Sequence, residues 1–228
     1  MTRSRPAGLL SLGSLLLGLA ACGEVRRVEV APPTGRVQEI TVRVDSGVIE
    51  VVTSTRVRVV QEIHAPEGAV ERREKIVAGH LTIESRCKSP VFCSVDTRIW
   101  VPDGVPVHLE LGQGEVWATG VGDLEIDLGT GMLDLDTAGA LRARVGQGKI
   151  RAETTPNQLI RLAVGQGDID LIVPRTPWQV EVQSSDTQLL GVIRDRRARG
   201  SLELTAPAGR VRVRAMGAPT DSGSLPAP

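Results

Sequence analysis

The sequence predicts an all-β protein, a β-solenoid-like stack of short strands that turn at Gly-x-Gly corners. Three observations predict it. Four segments recur between residues 105 and 173: LGQGEVWA, LGTGMLDL, VGQGKIRA and VGQGDIDL. Their first glycines, Gly112, Gly129, Gly146 and Gly165, are spaced 17, 17 and 19 residues apart. Each corner lies between alternating runs, such as VHLEL before and EVWA after, and a period of two marks a half-buried strand. The regular spacing favours one repeat per rung. An antiparallel β-sandwich built from Gly-turned hairpins is the alternative.

The chain opens with Arg3 and Arg5, followed by an apolar stretch over residues 7–19. That stretch is shorter than the roughly 20 residues a spanning helix needs. It has the length and flanks of a secretory signal. Leu19-Ala20-Ala21-Cys22 then resembles the lipobox of bacterial lipoproteins. The resemblance implies a signal peptide over residues 1–21, cleavage before Cys22, and acylation of that cysteine with palmitate-type chains. The partner it implies is membrane lipid. Two or more chains would hold the protein firmly, where one binds only marginally. Gly23 stands where an Asp would retain a Gram-negative lipoprotein at the inner membrane. The resemblance therefore implies the outer membrane, if the cell has one, facing periplasm or cell surface. Residues 22–36, with Pro32-Pro33, read as a lipidated N-terminus and linker.

The folded domain is expected over residues 37–216. VQEITVRV, VIEVV and RVRVVQEI alternate, and SGVIEV looks like a diverged corner and strand. Residues 67–77 (EGAVERREKIV) are charged without alternation and suggest a short helix or a mobile loop. HLTIESRC and VDTRIWV follow as strands. In an oxidising compartment Cys87 and Cys93 are expected to form a disulfide stapling a hairpin, with a free thiol pair as the alternative. No CxxC redox spacing and no metal-ligand cluster is visible.

Aligning the four repeats gives columns. Residues after the corner place Val116, Leu133, Ile150 and Ile169 inward, and Trp117, Asp134, Arg151 and Asp170 outward. Residues before it place Leu109, Ile126, Ala143 and Leu162 inward. The outward columns there are Glu110, Asp127, Arg144, Ala163 and His108, Glu125, Arg142, Arg161. Opposite charges on neighbouring strands attract by roughly 0.2–1 kcal/mol and like charges oppose pairing. Glu110 beside Asp127 and Arg142 beside Arg161 break that rule. Asp134, Arg151 and Asp170 read as a surface ladder. Gln113, Thr130, Gln147 and Gln166 read as a polar ladder along the corner. Trp117 is a possible partner contact, unless a flanking strand covers it.

Beyond Pro174, the runs WQVEVQ, TQLLGVI, SLELTA and RVRVRA read as strands. The basic turn from Arg194 to Arg199 could touch phosphate or acidic polysaccharide, or be a solvated hairpin tip. Residues 217–228, rich in Gly, Pro and Ser, are expected to be a disordered tail.

Composition narrows the function. Basic and acidic residues balance at 27 each, so no basic face for nucleic acid is indicated. Three Trp, one Phe and no Tyr leave little for stacking grooves. The repeat pattern, and VPDGVPVHLELGQGEV at 101–116 in particular, resembles bacterial cell-envelope domains called putative adhesins, β-strand-repeat domains of unknown function. The resemblance spans about residues 37–215. It implies an all-β envelope domain and brings no catalytic residues. The expectation is a non-enzymatic, lipid-anchored envelope protein with an adhesin-like binding or structural role. Its partner would be an envelope protein or polysaccharide, and no cofactor is indicated. A calcium-binding β-roll requires an Asp where Ile169, Ile150, Leu133 and Val116 stand. A polysaccharide-acting enzyme is the other alternative, but no nucleophile motif accompanies His64, His80 and His108.

Overall fold

The computed structural model describes residues 25–30, 35–89 and 92–218. The signal segment, Cys22 and most of the expected tail, residues 219–228, lie outside them. The described residues form strands and no helix. The strands are β1 (Val25–Glu29), β2 (Glu39–Ser54), β3 (Arg58–His64), β4 (Val70–Val77), β5 (His80–Cys87) and β6 (Ser94–Pro102). They continue with β7 (Val107–Val121), β8 (Leu124–Thr137), β9 (Leu141–Thr154) and β10 (Leu159–Val173). The last are β11 (Pro177–Leu190), β12 (Ile193–Arg194) and β13 (Gly200–Ala215).

All belong to one 13-stranded sheet whose order runs β1-β3-β6-β2-β7-β8-β9-β10-β13-β11-β12, with β5 on β2 and β4 on β5. The order is open at both ends. Its centre, from β2 to β11, is parallel. Antiparallel pairing is confined to β1 with β3, β3 with β6, and β4 with β5. Each repeat is one strand of 14 or 15 residues that runs through its corner, not two short strands. Ladder pairing resumes at the corner residue, as in Gln113 with Thr130 and Thr130 with Gln147.

The register stacks the aligned columns. Val116, Leu133, Ile150 and Ile169 follow one another and are fully buried. Leu109, Ile126, Ala143 and Leu162 do the same on the arm before the corner. Burying each Val, Leu or Ile contributes about 1.5–3 kcal/mol, so every rung adds to one continuous core.

The corner explains the repeated glycine. Parallel strands lie about 4.8 Å apart, and here their backbones meet with no side chain between. A Cβ on Gly131 would stand 1.7 Å from the carbonyl oxygen of Gly114. The column from Gly114 through Gly131 and Gly148 to Gly167 and Gly209 shows the same contact at 1.7–1.8 Å.

Several elements differ from their sequence expectations. Residues 70–77 form β4, not a helix or loop. This strand has one partner, β5, and both its faces are largely exposed, so it carries no apolar alternation. The expected linker contains β1, which pairs with β3. SLELTA and RVRVRA are the two arms of β13, and WQVEVQ and TQLL are the arms of β11. Cys87 and Cys93 are bonded, with Cα atoms 6.0 Å apart, but they staple no hairpin. β5 and β6 do not pair with each other. They lie parallel on the two arms of β2, so the bridge spans the corner of a divided rung.

At the end of the stack nearest β1, four strands share one buried polar network. Buried Gln61 on β3 donates from Nε2 to Thr97 Oγ1 at 3.1 Å. Its Oε1 accepts from Ser85 Oγ at 3.2 Å and Arg72 Nε at 2.9 Å. β3, β4, β5 and β6 are tied by this satisfied network, which a buried amide requires.

Candidate functional site

The outward faces of the two arms carry the charged groups. On the arm before the corner, the two like-charge neighbours each find an opposite partner on a strand outside the four repeats. Glu110 pairs with Arg43 at 2.9 Å, and Arg161 with Glu203 at 2.6 Å. Asp127 faces Arg144 at 3.7 Å. The Glu203 carboxylate raises the Arg161 pKa.

At the start of that arm, imidazoles and carboxylates alternate across four strands. His80 Nδ1 lies 2.8 Å from Glu39 Oε2, and His108 Nε2 lies 3.2 Å from Glu39 Oε1. His108 Nδ1 lies 3.2 Å from Glu125 Oε2. His64 lies 3.3 Å from Asp96 on the other arm. Each histidine therefore faces a carboxylate. Among the described residues, no group of three His, Cys, Asp or Glu side chains is arranged to hold a metal.

On the arm after the corner, the expected Asp134–Arg151–Asp170 ladder is only in register. Asp170 instead bonds Lys149 at 2.6 Å, because a long side chain reaches the diagonal neighbour. Asp168 accepts from the Arg210 backbone N–H at 3.0 Å and from its guanidinium at 3.2 Å. The Arg210 backbone bond is the largest cause holding the Asp168 carboxyl below the usual aspartate value, and burial opposes it. Gln113, Thr130, Gln147 and Gln166 stack along the corner without hydrogen bonds between their side chains.

Trp117 is exposed, at 42% of its surface, and no strand covers it. Its indole N–H donates to Glu115 at 3.2 Å. Trp100 lies on the same arm face two strands away, with Glu50 and Val52 of β2 between. The guanidiniums of Arg58 and Arg98 stand 5.0 and 5.8 Å from its ring centroid, within cation–π range. Sequence alignment of the repeats missed Trp100, because β6 supplies only half a rung. Trp178 is buried, and its indole N–H donates to the Pro174 carbonyl at 3.2 Å. The basic turn at Arg194–Arg199 borders a depression of about 610 Å³ lined also by Trp178, Val180 and Glu181.

The fold has solved relatives. A structure described as a putative cell adhesion protein from Clostridium sporogenes aligns with a TM-score of 0.56 at 13% identity, covering 84% of this chain and all of that one. A putative lipid binding protein from Parabacteroides distasonis aligns at TM-score 0.34 and 9% identity, covering 84% of this chain and 97% of its own. A putative adhesin from Bacteroides fragilis aligns at 0.27 and 10%, covering 85% and 97%. No protein-family model matches the chain, and no curated relative matches it. The all-β architecture is shared with a protein named for adhesion.

Proposed function

We propose that this protein is a non-enzymatic, lipid-anchored component of a bacterial cell envelope, with an adhesin-like binding or structural role. In this reading the parallel stack is a β-solenoid held to the outer membrane through acylated Cys22. Its partner is another envelope protein or a polysaccharide, and Trp117 is one contact.

The observation that carries the reading is the state of the charged faces. The carboxylates and imidazoles that stand close together are matched across strands, as in His80–Glu39–His108–Glu125 and Arg43–Glu110. Such pairs hold strands in register. The positions a calcium roll would need, Val116, Leu133, Ile150 and Ile169, are buried aliphatic side chains. The fold shared with the Clostridium protein supports the same class.

Membrane fractionation of cells fed labelled palmitate tests the anchor. Wild-type protein is expected in the membrane fraction with label, and Cys22→Ser in the soluble fraction without it. A labelled, membrane-bound Cys22→Ser protein overturns the anchor. Capture from envelope extract tests the contact, with loss of the partner expected for Trp117→Ala. Equal capture by both proteins removes Trp117 from the interface.

A further inference from the structure

The two ends of the stack are finished differently. At the β1 end, the β5–β6 rung is covered by β4 on one arm and by β3 and β1 on the other. Its inward residues, from Leu81 to Ile99, are buried. At the other end, β11 is covered only by the two-residue β12, opposite Pro177 and Trp178. The chain begins a further rung at Ile193-Arg194, then leaves it. It turns at Asp195–Ala198 and enters β13, which lies on the other side of β11. Among the described residues, no strand pairs with the outer edge of β11 from Gln179 to Leu190, where the turn is held by the Gln179 side chain donating to the Ala198 carbonyl at 2.6 Å.

This edge leaves the core partly open. Val180, Val182 and Leu189 continue the inward columns but are only half-buried. Their column neighbours on β13, Leu202, Leu204 and Val213, are buried to within 1%. The register of β11 shifts between Ser184 and Asp186, which divides the edge into two arms. An unpaired edge with apolar side chains beneath it is a template for an added strand.

The charges say which strand fits. In one outward column Arg161 satisfies Glu203, and Glu181 follows with no cation among the described residues within ion-pair distance. Arg194 and Arg196 line the same depression as Glu181, yet neither forms an ion pair with it. In the other arm Arg210 satisfies Asp168, and Asp186 follows, also without an ion pair. Both columns therefore end on an unmatched carboxylate at the open edge.

We propose that this edge receives an extended strand of another protein, parallel to β11, with apolar side chains inward and basic side chains opposite Glu181 and Asp186. This deepens the binding role proposed above. A second copy pairing β11 to β11 fits less well, because Pro177–Leu190 carries no Lys or Arg to set opposite Glu181 and Asp186.

The chain itself contains suitable probes. Continued register places a peptide of residues 141–154 with Leu141 beside Val180, Arg142 beside Glu181 and Lys149 beside Asp186. A peptide of residues 124–137 has the same corner and inward pattern, but sets Glu125 beside Glu181 and Met132 beside Asp186. Fluorescence anisotropy with the detergent-solubilised full chain compares the two labelled peptides. The basic peptide is expected to bind at least about tenfold tighter, and Glu181→Lys/Asp186→Lys to reverse the preference. Thermal melts of the double variant check its fold, since both residues are exposed. Equal affinities, no saturable binding, or a preference unchanged by the double variant overturns the proposal. So does a dimer of the chain alone that the double variant abolishes, which assigns the edge to a second copy. Peptide binding reads the edge and palmitate fractionation reads the anchor, so either can fail without the other.

Discussion

Gly131→Ala tests the close approach of backbones at the corner. Gly131 has φ +144°, and a Cβ there would stand 1.7 Å from the Gly114 carbonyl oxygen. Two costs add. A side chain in that backbone region costs about 1–3 kcal/mol. Forcing a methyl group between backbones that cannot separate without breaking the ladder costs about 1–3 kcal/mol more. The sum is about 2–6 kcal/mol, and each kcal/mol lowers Tm by about 2–4 °C in a domain of this size. A fall of roughly 10 °C is the central expectation. Gly104→Ala is the control, because its φ is +74° but nothing lies within 4 Å of the added carbon. It should lose only about 1–2 kcal/mol. Thr130→Ala, exposed at the same corner, should stay within about 0.5 kcal/mol of wild type. Urea and thermal melts followed by circular dichroism measure all three. If Gly131→Ala and Gly104→Ala melt together, the corner backbones are not in contact and the stacking argument fails.

Further expectations use the same assays. Cys87→Ser/Cys93→Ser opens a loop closed over a separation of 6 residues, which should cost roughly 2 kcal/mol, and the loss should match that of wild type under reductant. Trp178→Ala empties a fully buried site and leaves the Pro174 carbonyl only its bond from the Thr176 N–H, so a loss of about 3–5 kcal/mol is expected by urea titration. Asp168 has a depressed folded pKa, so its stabilisation is full above the unfolded value near 3.9 and is lost as pH falls through the folded value. The stability gap between wild type and Asp168→Asn should therefore be constant near neutrality and shrink as pH falls below about 5. A gap that widens on acidification contradicts that assignment.

The period-two pattern and the corner spacing made the four central rungs legible, because both are local. Val116 and Ile150 had to share a face whichever strands were neighbours. The order of rungs was not legible. β2 stands between the β5–β6 rung and β7, and β13 stands between β10 and β11. Aliphatic columns of similar shape accept any rung, so alternation does not choose between them. The charges held a partial clue. Glu110 beside Asp127 and Arg142 beside Arg161 made little sense within the repeats, and Arg43 and Glu203 answer two of them only once β2 and β13 are inserted. β4 escaped because an edge strand exposed on both faces needs no alternation. Glu181 and Asp186 escaped because an open edge is a property of what is missing beside a strand.

The placement of β13 bears on how the chain is made. A ribosome releases residues in numerical order, so β10 and β11 emerge while the strand that belongs between them is still unsynthesised. The two cannot take their final positions until Gly200–Ala215 follows and hydrogen-bonds to both. β13 thus acts as a completion check on β10 and β11. A message truncated before residue 200 would yield a stack ending at β10, with β11 left without its parallel neighbour as a ready target for proteolysis.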